Sequence, residues 1–326
     1  MDNRLQYIDI AKAIFMIFIV MDHTGVIEPF PICYDSEVPA FIFLSGLFFS
    51  VKDAFSVFVK AKFKRIVIPF LFFYLISYLA FVIGKSVYPP LASMTEAKGF
   101  MDVFSQKQLF NGALWFLPAL FFVQIIYYPI EKFVVNNYIK FIVILIIGII
   151  GALLGTNGIS LPLFFDNALA LLPYFYIGKT LMKTGFFNNT STSNICKEIV
   201  FSVIIIVILY MVYPISVQPS LNLWSRIYLV DVVMLTLVSG CVLLLCKFMP
   251  SILLAWIGRN TMFIMCTHHI IYRPIKQVLM SFGLNNSLWS PILVSIITML
   301  LVCLMAPIVS KYLPWTIGLT VKKKTN

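Results

Sequence analysis

Charge is what this chain of 326 residues has least of: charged residues make up 11% of it and hydrophobic residues 61%. In an ordinary soluble domain about a quarter of the residues are charged. The mean hydropathy of +0.97 also excludes a soluble globular protein. The composition predicts an all-α polytopic membrane protein, with residues 1–326 as a single integral-membrane domain and no fused soluble domain.

Acidic residues are the scarcer of the two charged classes, with 13 Asp and Glu against 24 Lys and Arg, so the formal net charge is +11. In a soluble protein such a balance would suggest nucleic acid as a partner. In a membrane protein, Lys and Arg collect in the cytoplasmic loops and account for the same excess. We therefore expect membrane lipid as a partner and no nucleic acid.

Cysteine motifs, a cleavable leader and internal repeats are also missing. The six cysteines form no Cys-x-x-Cys pair and most lie in apolar runs, so we predict neither a disulfide framework nor a metal site. The first apolar run carries ionisable residues and no small-residue cleavage site, which argues against a signal peptide. The lack of a clear repeat disfavours the common transporter architectures.

The apolar segments predict about ten transmembrane helices. The predicted spans are 8–27, 38–51, 66–87, 113–130, 138–155, 160–182, 198–216, 227–248, 259–279 and 290–313. With the N-terminus inside, the outer side receives only six Lys and Arg residues: Lys85, Lys98, Lys107, Arg226, Arg273 and Lys276. This asymmetry predicts that both termini are cytoplasmic.

The first predicted span is unusual because four ionisable residues interrupt it: Asp9, Lys12, Asp22 and His23. Ionisable side chains inside a membrane are costly, so each is a candidate functional residue. On one α-helix Asp9, Lys12 and His23 share a polar stripe, with Lys12 and His23 roughly 16 Å apart along the axis. Asp22 points away from that stripe. The segment thus combines a histidine deep in the membrane with a cation roughly 16 Å away along the same helix.

The chain has three histidines, His23, His268 and His269, and all fall within predicted membrane helices. A lone buried histidine is usually structural, but the intramembrane setting favours a functional role. His23 is expected near the outer end of its helix and His268 near mid-membrane. Other polar residues of the outer half are Asp22, Asp166, Arg226, Asp231 and Arg273. Asp231 either orients an imidazole or forms a structural ion pair with one of these arginines.

A basic cluster just before the third predicted span holds Lys60, Lys62, Lys64 and Arg65. One interpretation is ordinary positive-inside charge. The other is a site for cytosolic phosphates, to which Arg offers bidentate contacts and Lys a point charge. The residues alone leave both interpretations open.

Two short motifs mark helix contacts. The run 41–46 ends in Ser45 and Gly46, a small pair that permits close approach of helices. Ser45 is a weak candidate nucleophile because no base neighbours it in sequence. The run 114–117 opens the fourth span, and Trp115 is interpreted as an interfacial aromatic anchor.

These segments together resemble acyltransferase family 3, the membrane-bound O-acyltransferases that modify bacterial surface glycans. The matching motifs, in order, are Arg4, Ile8-Asp9, Lys12 and His23; Phe43-Leu44-Ser45-Gly46; the basic cluster; Leu114-Trp115-Phe116-Leu117; Tyr176-Ile177-Gly178-Lys179; and Ile257-Gly258-Arg259-Asn260-Thr261 followed by His268. Within the family the chain is most similar to the short type, which includes fucose 4-O-acetylases and enterobacterial-common-antigen acetyltransferases. It departs from the pattern at Ala13, Asp22, Met265 and Cys266.

The resemblance implies that acetyl-CoA binds from the cytoplasm and that a hydroxyl of a cell-surface glycan, or of its lipid-linked precursor, is acetylated at the inner membrane of a bacterium. His23 then acts as general base or carries the acetyl group transiently. The catalytic set is His23, Asp9 and Asp231; the donor-binding set is Lys12, Lys62, Lys64, Arg65 and Arg259; the substrate-binding set is Asp22, Ser45, Trp115, His268 and Arg273. For the tetrahedral oxyanion the candidates are Ser45, Asn260 or a backbone N–H.

Two other functions compete with this one. A proton-coupled secondary transporter or lipid-glycan carrier would also place His, Asp and Lys inside the bundle. A structural membrane subunit would leave the three intramembrane histidines and the polar stripe without a reason. A homodimer is a further partner prediction.

Overall fold

The computed structural model describes residues 5–26, 35–87, 97, 99–105, 109–188, 191–284 and 289–319. Within these ranges the chain is helical and forms no β-strand, so the predicted all-α fold class is confirmed. The motif residue Arg4, the loop cations Lys98 and Lys107, and both chain termini lie outside the described residues.

Twelve helices of eight residues or more run through the described ranges. They are α1 (Gln6–Thr24), α2 (Glu37–Leu47), α3 (Phe55–Lys62), α4 (Ile68–Val87), α5 (Phe116–Phe133), α6 (Asn137–Thr156), α7 (Phe165–Lys183), α8 (Thr192–Val212), α9 (Tyr228–Leu245), α10 (Ile252–Arg259), α11 (Thr261–Ser281) and α12 (Trp289–Tyr312). A π-helical turn, Phe63–Val67, joins α3 to α4 without a break. The basic cluster therefore lies inside a continuous helical segment, whereas the sequence placed it in front of one.

Within the described ranges, six helical segments are long and apolar enough to cross a membrane: Phe55–Ser86, Gly112–Phe133, Asn137–Thr156, Thr192–Val212, Tyr228–Phe248 and Trp289–Tyr312. The long helices outside this group, α1, α7 and α11, are those that carry most of the polar motif residues. At 11 residues α2 is too short to cross alone. The membrane fold class is thereby supported, while ten crossings and cytoplasmic termini stay predictions.

The apolar scaffold is plainest in α8, where Ile195 is the one buried residue. A helix that exposes aliphatic side chains on nearly every face is stable only in lipid. The sequence likewise predicts that spans 138–155 and 198–216 are lipid-facing scaffold. In α6 the buried face is narrow and rich in glycine, at Gly148, Gly151 and Gly155. α6 packs on α7 and α8 packs on α9, and neither contributes a residue to the site described below.

α1 is the central helix of the bundle and contacts α2, α9, α10, α11 and α12. Its contact with α10 is very close: a Cβ on Gly258 would overlap the backbone carbonyl of Asp9. Only glycine allows two backbones to approach so closely. The late motif around Gly258 therefore holds α10 against the buried end of the polar stripe.

A second close crossing joins α2 to α7. A Cβ on Gly46 would overlap the carbonyl of Phe175, and a Cβ on Gly178 would overlap the carbonyl of Phe43. The two glycines come from two separate sequence motifs, and each fits against the other helix. The prediction that Ser45-Gly46 permits close helix approach is confirmed.

Candidate active site

The three histidines meet at one point, where α11 packs against α1. The ring centroid of His23 lies 5.2 Å from that of His268 and 4.3 Å from that of His269, and the last two are 5.0 Å apart. His268 and His269 are 0% and 5% exposed, whereas His23 is partly exposed. The sequence placed His268 nearer mid-membrane, but its ring lies beside that of His23. His23 is thus the histidine most open to a substrate.

Hydrogen bonds distinguish the two buried histidines. The Nδ1 atom of His268 lies 2.9 Å from the carbonyl oxygen of Ile264, so Nδ1 carries the proton and Nε2 a lone pair. The Nε2 atom of His268 and both ring nitrogens of His269 are buried and have no hydrogen-bond partner in the described part of the chain. Such unpaired polar atoms are rare in folded proteins and indicate a site that a ligand or water completes.

Residues 109–115 cover the histidines from the side of α5. Asn111 donates its side-chain N–H to the carbonyl of Cys266 at 2.8 Å, and Arg273 donates to the carbonyl of Phe110 at 3.2 Å. A Cβ on Gly112 would lie 3.3 Å from Cε1 of His269, so a side chain at this position would crowd the imidazole ring. Trp115 is 7% exposed. It is therefore a core residue, and its interpretation as an interfacial anchor is wrong.

The other end of α1 carries an ion pair. The Nζ atom of Lys12 lies 3.6 Å from Oδ1 of Asp9, which confirms that the two share one face of the helix. Asp9 is 1% exposed. The Lys12 ammonium also lies 5.6 Å from the centre of the Phe48 ring, a cation–π distance. By helical rise His23 is roughly 16 Å further along the same helix.

Aromatic rings connect Lys12 to the basic cluster. Phe49 packs against Phe58 with ring centroids 5.6 Å apart, and Lys62 lies over Phe58 at 5.1 Å. Lys62 is half-buried, whereas Lys60, Lys64 and Arg65 are exposed. We call this end of the bundle the basic end and the opposite one the histidine end.

The turn Pro314–Ile317 braces the basic end. A Cβ on Gly318 would lie 2.5 Å from the carbonyl oxygen of Arg65, and Trp315 packs on Phe72 with ring centroids 5.2 Å apart. π-Helical turns such as Phe63–Val67 recur at functional sites. The backbone at Arg65 is therefore packed against residues 314–318.

Asp231 is separate from the histidines. Its carboxylate accepts the backbone N–H of Ser225 at 2.8 Å. In the part of the chain that the structure describes, it makes no hydrogen bond to a histidine and no ion pair with Arg226 or Arg273. Neither interpretation of Asp231 left open by the sequence is realised in this arrangement, and its catalytic role stays a prediction.

Further acidic residues surround Asp231 at the histidine end. Asp35, between α1 and α2, lies 3.4 Å from the backbone nitrogen of Val217. Burial, together with the nearby charges of Asp231 and Asp22, raises the pKa of Asp35 to about 7. Asp22 itself is exposed. This rim is acidic, in contrast to the basic end.

Two expected oxyanion donors are occupied. The hydroxyl of Ser45 donates to the carbonyl of Phe41 at 2.8 Å. The side-chain amide of Asn260 donates to the carbonyl of Trp256, also at 2.8 Å. Arg259 is exposed where α10 ends. Ser45 and Asn260 thus stabilise their own helices, which removes the strongest reason to place either at the reacting carbonyl.

Sequence reasoning left His269 and Gly112 out of the site. His269 follows His268 directly, and on an α-helix the side chains of adjacent residues point about 100° apart, so helical spacing alone does not bring both to one neighbour. The structure brings both rings to His23 because α11 meets α1 between them. Gly112 precedes the Leu114-Trp115 motif and was not considered.

The histidine cluster has the residue types of a metal site, with one nitrogen from each ring within 4.8 Å of the others. Nitrogens bound to a tetrahedral zinc ion lie about 3.3 Å apart, so the rings would have to move together to hold one. The spacing suits hydrogen bonds to one shared substrate group. The prediction that the protein uses no metal remains untested.

Comparisons with known proteins bear on the family alone. No curated protein and no solved structure matches the chain significantly. A family model described as an acyltransferase domain matches residues 5–307 of the 326. That match includes α1, both glycine crossings and the late motif with its histidines. The chain therefore belongs to acyltransferase family 3 and is a membrane acyltransferase.

Proposed function

We propose that this protein moves an acetyl group from cytoplasmic acetyl-CoA to a hydroxyl of a cell-surface glycan or its lipid-linked precursor, in the inner membrane of a bacterium. The observation that carries the proposal is the arrangement of α1. It bears a partly exposed histidine near one end and a paired lysine roughly 16 Å away. That length is comparable to the pantetheine arm of CoA.

The basic end would bind the CoA phosphates. Arg65 offers a bidentate guanidinium, and Lys60 and Lys64 add exposed point charges beside it. Lys62 and Lys12 both lie over aromatic rings, which leaves their ammonium groups oriented. Because these cations lie at the end of α1 opposite His23, the donor would bind with its phosphates at the basic end and its thioester toward the histidines.

At the histidine end His23 would act as general base. No hydrogen bond within the described residues occupies its ring, so one nitrogen is available to the acceptor hydroxyl. The hydroxyl oxygen attacks the thioester carbonyl while His23 takes the proton. When the carbon–sulfur bond breaks, His23 returns that proton to the sulfur. A transient acetyl group on His23 is the alternative course of the same transfer.

The experiment is acetyl-CoA turnover by the purified full chain in nanodiscs, followed as free thiol, with bacterial glycan extracts as acceptor. Thiol release that requires an acceptor extract supports the proposal. A thermal-shift titration with CoA measures donor binding separately, because a ligand of the folded state stabilises it in proportion to occupancy. Neither thiol release nor CoA-dependent stabilisation with any extract would overturn the proposal and favour the carrier function.

A further inference from the structure

Acyl transfer needs a donor for the oxyanion that forms on the thioester carbonyl. Such donors must point at the oxygen from about 2.7–3.1 Å, and they stabilise charge best where water is excluded. Ser45 cannot serve as it stands, because its single O–H already donates to the carbonyl of Phe41. Asn260 keeps a second N–H, but it lies just before α11, eight residues and about 12 Å of helical rise from His268. The donor must come from another group near His23.

The buried, unpaired polar atoms beside His23 belong to its two histidine neighbours. His268 is excluded as a neutral donor because its single N–H already points at the carbonyl of Ile264. His269 differs. A neutral imidazole has one N–H and one lone pair, and neither nitrogen of His269 has a hydrogen-bond partner among the described residues. In either tautomer His269 thus holds a free N–H, with its ring centroid 4.3 Å from that of His23.

We propose that His269 is a catalytic residue that donates its free ring N–H to the thioester carbonyl oxygen. This inference rests on the proposed function. As the acceptor oxygen bonds to the carbonyl carbon, the C=O electron pair moves onto that oxygen and His269 stabilises it without losing its proton. His23 meanwhile holds the hydroxyl proton. The oxyanion then collapses, the carbon–sulfur bond breaks, and the sulfur takes the proton from His23.

The surroundings of His269 suit this role. It is 5% exposed, so its N–H acts in a region of low dielectric constant, where one hydrogen bond to an oxyanion has a large effect. Arg273 lies one turn further along α11 and adds positive charge. A Cβ at position 112 would crowd the ring at the distance given above, so alanine there would shift the imidazole by a few tenths of an ångström.

Two substitutions of His269 separate hydrogen-bond donation from a role as base or nucleophile. His269→Gln keeps a side-chain N–H donor but cannot act as a base or nucleophile, whereas His269→Leu keeps the bulk and removes the donor. We expect kcat to fall about 100- to 1,000-fold in His269→Leu and the KM for acetyl-CoA to stay unchanged. His269→Gln should recover at least a tenth of the original kcat, with an unaltered pH profile. Gly112→Ala should lower kcat several-fold.

The direct readout is the infrared carbonyl band of bound acetyl-CoA labelled with ¹³C at the acetyl carbonyl. We expect the band at lower frequency in the unsubstituted protein and in His269→Gln than in His269→Leu. A bound band at one frequency in all three proteins overturns this assignment and leaves the proposed function standing. The absence of any bound band in the unsubstituted protein overturns the proposed function and this assignment together. Should His269→Leu fail to fold, His269→Gln decides: a variant that folds and binds acetyl-CoA but loses the shift of the carbonyl band and more than about 100-fold in kcat overturns the assignment.

Discussion

The two ends of α1 hold their polar groups in opposite ways. At the histidine end three ring nitrogens of His268 and His269 are buried without a hydrogen-bond partner among the described residues, whereas at the basic end the cations are largely exposed or rest on aromatic rings. Exposed charges attract a charged ligand from solution and are screened by salt. Buried groups act over one hydrogen bond, on a reacting atom. Substitutions at the histidine end should therefore affect turnover, and substitutions at the basic end should affect donor affinity.

The sharpest test of this division is His23→Gln. We expect turnover to fall by about 100- to 10,000-fold, since the glutamine cannot accept the hydroxyl proton. CoA should stabilise the variant against heat as much as it does the unsubstituted protein. Thiol release and the thermal shift are measured on the same nanodisc preparation. Wild-type turnover in the variant would remove His23 from the catalytic assignment.

Arg65→Ala should produce the complementary result. Loss of a charge-assisted contact to phosphate should raise the Kd for CoA by about 10- to 100-fold, with kcat at saturating donor little changed. The Kd should also depend less on salt in the variant. Lys85→Ala is the matched control, because it removes an exposed cation from the far end of α4. If both variants raised the Kd equally, the basic end would contribute only non-specific charge and no donor site.

Gly46→Ala tests whether the α2–α7 crossing holds the two ends in register. Its Cβ would overlap the carbonyl of Phe175, so we expect a loss of about 1–3 kcal/mol in stability. Gly240→Ala is the control: its Cβ would meet nothing within 4 Å, and alanine inside a helix should be neutral or stabilising. Thermal unfolding of both variants in nanodiscs makes the measurement. Equal midpoints would show that the crossing tolerates a side chain.

Asp35→Asn should change stability least of these variants, but it should alter how the unfolding midpoint depends on pH. The fold raises the pKa of Asp35 from 3.8 to about 7, because burial disfavours its charged form. The corresponding stabilisation is fully present below about pH 3.8 and is lost as pH rises through about 7. The asparagine is neutral throughout, so its midpoint should fall less between pH 5 and pH 8. Parallel pH profiles would show that Asp35 is ionised in the fold.

Part of this site follows from the sequence because ionisable residues stand out in an apolar run. Asp9, Lys12 and His23 were assigned to one face of α1 by helical spacing alone, and the Asp9–Lys12 pair lies there. The glycine of Ser45-Gly46 was likewise placed at a helix contact. Local periodicity suffices for such features because each depends on one helix.

The rest depends on which helices touch, and that information is spread over distant contacts. His269 enters the site because Gly258 lets α10 reach the backbone of α1 at Asp9, which sets where α11 begins. The basic cluster lies within a helix because Phe63–Val67 continues it as a π-turn. Ser45 and Asn260 offered suitable hydroxyl and amide groups, yet each bonds to its own helix. Residue type alone cannot show that a polar group is already satisfied.

The contact of residues 314–318 with the Arg65 backbone has a consequence for biosynthesis of the protein. Residues 314–318, which press on the Arg65 backbone, leave the ribosome long after Arg65 itself has been inserted. A nascent chain that has reached α11 therefore has all three histidines but an unsupported basic end. If the proposed function holds, such a chain would bind the CoA phosphates weakly until residues 314–318 are in place.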